Sequence, residues 1–245
     1  MIHVLSYGGG VNSTTLLLWL VENRKPLDEV IFADTGAEMP ETYAYIPQIR
    51  AFCEERGIKF TILKATVTIG RDLPKTAHVD NLIDYCRLQR IIPFRAFRSC
   101  TDKFKIQPIC KHLKWKGDVL MYIGFDYGET RRMKDSSVEW IKYSYPLIEA
   151  KIGRDGCKEI IERNGFSVPV KSGCFICPFQ GYEDWMDLRG NHRDLFDVAM
   201  SLEDAAQKRN PEALYWLRPL REIDLAEKEQ TRLLIKEPCM GWCKT

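Results

Sequence analysis

The chain opens with a short apolar segment, three consecutive glycines and a second apolar segment. Residues 2–7 have the length and composition of a buried strand, and residues 13–21 have those of a helix. Glycines at the junction permit a tight turn and a close approach of a ligand to the backbone. A new helix also offers unpaired N–H groups and a positive dipole end, which Asn12 or Ser13 caps. The junction at residues 8–10 therefore predicts a phosphate site.

This glycine segment differs from two common phosphate-binding sequences. No Gly-Lys-Ser/Thr follows it, as a Walker A loop requires, and the G-x-G-x-x-G spacing of dinucleotide-binding folds is absent. A plain strand-to-helix turn is the alternative, but one glycine is enough for such a turn. Three glycines followed by an amide and a hydroxyl side chain favour a bound anion.

Strand and helix patterns alternate over the first half of the chain. Strands are predicted at residues 2–7, 29–34, 59–64 and 118–125, and helices at residues 13–23, 41–56, 81–89 and 105–113. This alternation predicts an α/β fold with a doubly wound, mostly parallel sheet. Ligands bind such sheets at the carboxyl ends of the strands, and the segments expected to meet there are residues 8–13, 34–36 and 124–132.

The pattern changes near residue 145, after which the strand signals disappear. We therefore predict two domains, a nucleotide-binding α/β domain at residues 1–145 and a helical region at residues 146–245. The helices expected in the second domain cover residues 155–164, 193–208 and 219–235. An irregular tail with two cysteines ends the chain.

Composition argues against a membrane protein and favours a cytoplasmic globular protein. Apolar residues make up 45% of the chain and charged residues 29%, as in soluble globular domains. No apolar run reaches the roughly 18 residues that span a bilayer. No basic region precedes the first apolar stretch, so we expect no signal peptide.

The positive charge is concentrated in the middle of the chain. Residues 71–116 hold eleven Lys and Arg side chains against four Asp, although the net charge of the whole chain is only +2. This excess predicts a polyanionic partner, and a solvated surface with a chance imbalance is the alternative.

Nine cysteines are many for a chain without a secretion signal. Their odd number argues against a disulfide framework and favours metal binding or redox chemistry. Cys174 and Cys177 form a C-x-x-C pair, which is typical of zinc, iron–sulfur or redox sites. We expect Cys53, Cys86 and Cys110, which lie on helical patterns, to be core residues.

Four segments in this order resemble the PP-loop ATP pyrophosphatase superfamily and, within it, the PAPS-reductase-like branch. They are residues 8–13 (GGGVNS), 32–36 (FADTG), 98–109 (RSCTDKFKIQPI) and 124–132 (GFDYGETRR). The resemblance implies a doubly wound parallel sheet that binds ATP with Mg²⁺ and forms an adenylated intermediate. Gly8 and Asn12 depart from the family pattern, which has Ser and Asp at these two positions.

The resemblance also assigns roles to individual residues. The implied nucleotide-binding residues are Gly8, Gly9, Gly10, Asn12, Ser13, Asp34, Gly124 and Glu129. The implied catalytic residues are Asp34, Lys103 or its neighbour Lys105, Arg131, Arg132 and the tail thiol Cys239. The basic members of this set are expected to neutralise pyrophosphate as its charge grows in the transition state.

Three cysteines match the cluster pattern of the adenylylsulfate reductases within the same branch. Cys100, Cys174 and Cys177 retain three of the four ligands of a [4Fe–4S] cluster, because Ser99 replaces one cysteine of a Cys-Cys pair. The fourth iron is then open, or it is held by Cys157 or by a tail cysteine. Zinc held by Cys174, Cys177 and either Cys100 or Cys157 is the alternative.

These observations favour an ATP-dependent sulfurtransferase that adenylates its substrate and thiolates a nucleic acid, such as tRNA or DNA, or a nucleotide. A sulfur-donor protein is an expected partner, and the oligomeric state stays open. Three alternatives remain: a PAPS or adenylylsulfate reductase, a zinc-braced amidating enzyme, and a non-catalytic nucleotide-binding partner. The last of these is suggested by Asn12 in place of Asp.

Overall fold

The structure is a computed structural model that describes residues 1–70 and 77–225. Its strands are β1 (Ile2–Tyr7), β2 (Glu29–Asp34), β3 (Lys59–Lys64), β4 (Val67–Ile69), β5 (Ala77–Val79), β6 (Val119–Ile123) and β7 (Ile141–Ser144). Its α-helices are α1 (Val11–Glu22), α2 (Pro40–Glu54), α3 (Leu82–Gln89), α4 (Ser99–Thr101), α5 (Gln107–Leu113), α6 (Pro146–Glu149), α7 (Arg154–Arg163), α8 (Tyr182–Asn191) and α9 (Arg193–Gln207). A π-helical turn, Asp102–Ile106, joins α4 to α5, and a 3₁₀ turn, Tyr127–Arg132, follows β6.

Five parallel strands form the central sheet in the order β3-β2-β1-β6-β7, and this confirms the predicted fold class. β1 lies between β2 and β6, so Ser6 pairs with Ile31 on one side and with Ile123 on the other. Strands β4 and β5 form a separate antiparallel pair. The sheet order therefore places the ends of β2, β1 and β6 side by side at one edge.

The three central strands, β1, β2 and β6, carry buried residues on both faces, as a doubly wound fold requires. Leu5 and Phe32 point into a core cluster that includes side chains of α1, α2 and α7. Val4 and Ile31, one residue earlier on each strand, point into a second cluster with side chains of α5. This alternation with a period of two residues explains why β1 and β2 read as continuous apolar runs.

The packing divides the chain into two units, and the division differs from the predicted boundary at residue 145. Among the described residues, one unit comprises residues 1–70, 77–85 and 99–174, and the other comprises residues 86–98 and 175–225. Helix α7 belongs to the first unit because Cys157 and Ile160 enter the core beside α1, where the Thr15 hydroxyl donates to the Cys157 carbonyl oxygen. Strand β7 was not predicted, because its four residues are too few to show an alternating pattern.

The second unit contains α8 and α9. Helix α9 was predicted within one residue of its observed end, whereas α8 was not predicted. The carboxylate of Glu203 is buried on α9, where it accepts hydrogen bonds from the backbone N–H groups of Tyr215 and Leu220. Most of the helix expected at residues 219–235 lies outside the described residues. No helix in the described ranges is long and apolar enough to cross a membrane.

A buried acid holds the amino end of the sheet together, away from the edge where the glycine segment lies. Glu29, the first residue of β2, is 3% exposed. Burial disfavours its charged form, but hydrogen bonds from Lys116, Thr61, His112 and Lys59 outweigh this effect and lower the pKa of Glu29 to about 2. The carboxylate thus stabilises the contact between β2, β3 and the C-terminal end of α5.

We expect Glu29→Gln to lower the free energy of unfolding by about 2 kcal/mol at pH 7. Because the pKa of Glu29 is depressed on folding, its contribution is present above the unfolded value near 4.5 and is lost as the pH falls towards 2. Urea denaturation at pH 7 and pH 3 therefore shows a smaller difference between the variant and the wild type at pH 3. Glu159→Gln, at an exposed position of α7, is the control, and an equal difference at both pH values contradicts the account.

Candidate functional site

The three segments predicted to meet at the carboxyl edge of the sheet do meet there. The glycine segment follows β1, residues 34–38 follow β2, and the 3₁₀ turn follows β6. The approach is closest at Gly124, where an added Cβ would lie 2.9 Å from both the Cα and the N atom of Ser13. The predicted meeting of the three segments at this edge is therefore confirmed. The hydrogen-bond partners of their side chains, however, are not indicated by any sequence motif.

The glycine segment forms a tight loop that enters α1 through Gly10. Gly9 has a φ of +75°, and a Cβ there would lie 2.6 Å from Cγ2 of Thr42 on α2, so both its conformation and its surroundings require glycine. Ser13 braces the loop, since its Oγ accepts from the Gly8 N–H at 3.2 Å and donates to the Gly10 carbonyl oxygen at 3.1 Å. The first turn of α1 contains no acidic residue. This end of the helix therefore keeps its positive character for an anion.

Asn12, which replaces the family's aspartate, holds two acids of the third segment. Its Nδ2 donates to Asp126 Oδ2 at 3.1 Å and to Glu129 Oε2 at 2.7 Å, and its Oδ1 accepts from Arg154 Nη1 at 3.0 Å. Arg132 forms a close ion pair with Glu129. An amide is the group that satisfies this arrangement, because an aspartate would face two carboxylates.

Asp34 ends β2 and is 7% exposed. Its Oδ1 accepts from the Gly36 N–H at 2.8 Å and from the Tyr43 hydroxyl at 2.7 Å, and its Oδ2 lies 3.9 Å from Lys64 Nζ. Burial and the hydrogen bond to Asp34 raise the pKa of the Tyr43 hydroxyl. Asp34 is thus a fixed carboxylate at the predicted nucleotide edge. Tyr43 was not predicted, because a tyrosine on a helical pattern looks like an ordinary core residue.

A second polar cluster lies immediately beyond Asp34 and surrounds the Cys174 thiol. Cys174 Sγ lies 3.1 Å from Thr35 Oγ1 and 3.5 Å from Glu38 Oε1. The same carboxylate oxygen accepts from Thr35 Oγ1 at 3.0 Å and pairs with Lys105 Nζ at 2.9 Å. The Glu38 side chain is fully buried, and its Oε2 has no hydrogen-bond partner among the described residues. A buried, unsatisfied carboxylate oxygen costs stability, and this one lies beside a thiol.

Residues 172–174 bring this thiol to the glycine loop. Glu38 and Cys174 form an isolated antiparallel bridge, and the Met39 N–H donates to the Gly173 carbonyl oxygen at 3.1 Å. The absence of a side chain at Gly10 leaves room for Ser172, because an added Cβ would collide with the Ser172 hydroxyl. The segment that carries Cys174 therefore passes directly against the predicted phosphate loop.

The basic residues predicted to be catalytic occupy different surroundings. Lys105 reaches the thiol cluster, whereas Lys103 Nζ lies 6.0 Å from the ring centroid of Tyr85. Arg132 pairs with Glu129 and stacks over the Phe125 ring, and Arg131 is exposed on the 3₁₀ turn. Arg132 is therefore beside the loop through Glu129 and Asn12, and Lys105 is beside the thiol. Cys239 lies outside the described residues.

The candidate metal ligands are Cys100, Cys174 and Cys177, with Cys157 as the fourth. No group of three His, Cys, Asp or Glu side chains in the described parts of the chain is placed to hold a metal ion. Cys100 and Cys177 are half-buried, but Cys157, weighed as a fourth ligand, lies in the apolar core, where burial raises the pKa of its thiol to about 11. The thiolate is the form that binds a metal, so burial in the core disfavours Cys157 as a ligand. The three-cysteine site therefore stays a prediction, and we derive no chemistry from it.

These observations define a parallel α/β domain that carries a glycine loop and a thiol at the same edge of its sheet. The sequence model of the phosphoadenosine phosphosulfate reductase domain matches residues 2–149. The chain therefore belongs to the phosphoadenosine phosphosulfate reductase domain family. This confirms the family resemblance that the four sequence segments indicated.

One relative and two solved structures also resemble the chain, at low sequence identity. The uncharacterized nin region protein ORF290 of Escherichia phage lambda is 26% identical over 152 residues, which are 55% of this chain and 51% of that protein. The chain thus spans about half the length of this relative.

Both solved structures have a TM-score of 0.48. The phosphoadenylyl-sulfate reductase of Candida auris, in a phosphate complex, is 14% identical, and the match covers 69% of this chain and 75% of that one. The U34-tRNA thiolase NcsA of Methanococcus maripaludis, with its [4Fe-4S] cluster, is 16% identical, and the match covers 100% and 76%. At this similarity, neither structure indicates which substrate or cofactor this chain takes.

Proposed function

We propose that this protein is an ATP-dependent sulfurtransferase that adenylates its substrate at the glycine loop and delivers sulfur beside Cys174. The observation that carries the proposal is the passage of residues 172–174 against the loop, with Ser172 in the space that Gly10 leaves open. This arrangement puts a thiol next to the place where a nucleotide phosphate fits. Family membership supports sulfur chemistry at an adenine nucleotide and leaves the reaction itself open.

In the first step, the phosphates of ATP bind the N–H groups at the start of α1, with the loop held in shape by Ser13. A substrate oxygen attacks the α-phosphorus, the bond to pyrophosphate breaks, and the substrate becomes an adenylate. Arg132 and Arg154 lie around Asn12 and balance the negative charge that grows on pyrophosphate. Asp34, at the end of β2, would orient the adenosine or hold a magnesium ion that accompanies ATP.

In the second step, a sulfur nucleophile attacks the activated carbon and AMP leaves. Thr35 and Glu38 fix the position of the Cys174 thiol, and Lys105 balances the charge of the Glu38 carboxylate. Before this step, Cys174 receives the outer sulfur of a persulfide on a donor protein, and the donor's thiol is released. This outer sulfur is the nucleophile that displaces AMP. The tail thiol Cys239 then attacks Sγ of Cys174, which frees the thiolated product and leaves a Cys174–Cys239 disulfide that an external thiol reductant reduces. The three-cysteine cluster stays a prediction, and metal analysis of anaerobically purified protein distinguishes iron from zinc.

A sulfonucleotide reductase is the second candidate, and the family match favours it. In that reaction a thiol attacks the sulfur of the bound sulfonucleotide, and the same loop holds the phosphates. The zinc-braced amidating enzyme has less support, because no described group of three side chains is placed to hold zinc. A further alternative is a non-catalytic protein that binds a nucleotide, and it is suggested by Asn12 in place of the aspartate of the family pattern.

Calorimetric titration with ATP and with 3′-phosphoadenylylsulfate tests the proposal. We expect ATP to bind more tightly than 3′-phosphoadenylylsulfate. Ser13→Ala is expected to lower the affinity for ATP by about tenfold, since the loop loses the side chain that braces it. Ser201→Ala, at an exposed position of α9, is the matched control and leaves the affinity unchanged. Tighter binding of the sulfonucleotide supports the reductase instead, and binding of neither compound refutes both candidates.

A further inference from the structure

An arginine-rich segment of the second unit has no role in the site described above. Residues 86–98 contain four arginines and no acidic residue. The segment is anchored by buried Ile92 and Pro93, after which residues 94–98, with the sequence Phe-Arg-Ala-Phe-Arg, are all exposed. The Arg98 N–H donates to the Phe94 carbonyl oxygen at 3.2 Å and closes this turn. The turn therefore presents two Phe-Arg pairs to solvent.

The rings and cations of this turn form one surface together with Phe179. Phe94 is 56% exposed, Phe97 is 81% exposed, and their ring centroids are 5.8 Å apart. Phe179 is 55% exposed, and the guanidinium carbons of Arg95 and Arg98 lie 5.6 and 5.8 Å from its ring centroid. We call these five residues the aromatic–arginine surface.

Two features show that this surface is held in place rather than left loose. Arg95 is fixed because its Nε donates to the carbonyl oxygen of Pro178. Arg98, the last residue of the turn, and Arg90, which precedes the turn, have φ values of +44° and +50°, a conformation that L residues other than Asn and Asp adopt rarely. Three neighbouring phenylalanine rings in water are unfavourable, and such patches mark interaction sites.

We propose that the aromatic–arginine surface binds single-stranded nucleic acid. Unpaired bases stack on the faces of Phe94 and Phe97, and the guanidinium groups of Arg95 and Arg98 contact the phosphates. The positive charge of the surface complements a polyanion, and its rings match flat, uncharged bases. This inference deepens the proposed function. It rests on that function in one respect, namely that the bound nucleic acid is the sulfur acceptor.

The exposure of the rings favours a single strand over a duplex. In a duplex the bases stack on one another and their faces are inaccessible to side chains, whereas an unpaired base offers a free face. A duplex would contact only the arginines and leave all three rings in water. We therefore expect preference for a single strand and a salt dependence that reflects a small number of phosphate contacts.

Fluorescence anisotropy with a labelled oligouridylate of about 12 nucleotides tests the proposal. We expect the single strand to bind at least about tenfold more tightly than an RNA duplex of the same length, and the double variant Phe94→Ala/Phe97→Ala to lose at least about tenfold in affinity. Arg98→Gln is expected to reduce the slope of log affinity against log salt by about 0.7. Because these side chains are exposed, melting temperatures of the variants should match that of the wild type.

Trp115→Ala is the matched control. The Trp115 ring is 86% exposed, and the ammonium group of Lys114 lies 5.1 Å from its centroid, so it is also an exposed ring beside a cation. Trp115 belongs to the first unit and is not part of the aromatic–arginine surface. An equal loss from Trp115→Ala and from the phenylalanine variant overturns the proposal, as does preference for the duplex. Calorimetry with ATP separates the two claims. A protein that binds ATP but no single strand overturns this inference alone, whereas a protein that binds the strand but no adenine nucleotide overturns the proposed function alone.

Discussion

Gly124→Val is expected to destabilise the protein by about 3 kcal/mol and to weaken ATP binding by at least about tenfold. Gly124 follows β6 directly, and a Cβ at this position would lie 2.9 Å from two backbone atoms of Ser13 in the first turn of α1. Backbone atoms cannot rotate away as a flexible side chain can, so the start of α1 must move. The same movement distorts the loop that Ser13 braces.

Urea denaturation and calorimetry with ATP measure the two effects of Gly124→Val. Gly190→Ala is the matched control, because nothing lies within 4 Å of an added Cβ at Gly190 and the residue is on helix α8. Alanine there is expected to leave ATP binding unchanged and to stabilise the protein by up to about 1 kcal/mol. If Gly124→Val has the same free energy of unfolding and the same affinity for ATP as the wild type, β6 does not approach the loop as described.

Asn12→Asp, which restores the family's aspartate, is expected to impair this protein. The Asn12 amide donates to Asp126 and Glu129 at 3.1 and 2.7 Å, so an aspartate replaces two hydrogen bonds with two repulsive contacts. We expect the free energy of unfolding to fall by about 2 kcal/mol at pH 7 and ATP affinity without magnesium to fall by about tenfold. Three neighbouring carboxylates suit Mg²⁺, so added magnesium should restore part of both losses.

Thermal melts and ATP titrations with and without magnesium test this expectation. Asn12→Ala is the control, because it removes the same hydrogen bonds without adding a charge. The alanine variant is expected to lose less stability and to respond to magnesium as the wild type does. An aspartate variant that matches the wild type without magnesium would show that Asn12 is not the residue that balances the acids around the loop.

The sheet of this fold follows from the sequence more completely than the site does. Four of its five strands were predicted, three of them at their observed ends, because β1, β2 and β3 are regular segments bounded by turns or by helical patterns. Helix α7 was predicted as part of the helical region, whereas the structure packs it in the unit of the sheet, since an amphipathic pattern shows that one face is buried but not against which element it packs. Pairs such as Thr15 and Cys157 are 142 residues apart, and no local pattern indicates them.

In the site, too, contacts between residues far apart in the sequence could not be predicted from local patterns. The glycine loop, Asp34 and the 3₁₀ turn are each adjacent to a strand, so their meeting at one edge follows from parallel topology alone. The cluster around Cys174 does not, because it depends on a crossing of residues 172–174 over the loop. The spacing of Cys174 and Cys177 predicts a metal site, but it gives no sign that the Thr35 hydroxyl and the Glu38 carboxylate lie beside Cys174.

The central claim is that an adenine nucleotide on the glycine loop lies beside the Cys174 thiol. The most direct test is the rate at which iodoacetamide alkylates Cys174, measured by peptide mass spectrometry with and without saturating ATP. Cys110 on α5, which is also half-buried, serves as the internal control. We predict that ATP slows alkylation of Cys174 in proportion to its occupancy of the loop and leaves the rate at Cys110 unchanged. An unchanged rate at Cys174, with ATP binding verified by calorimetry in the same buffer, would contradict the account.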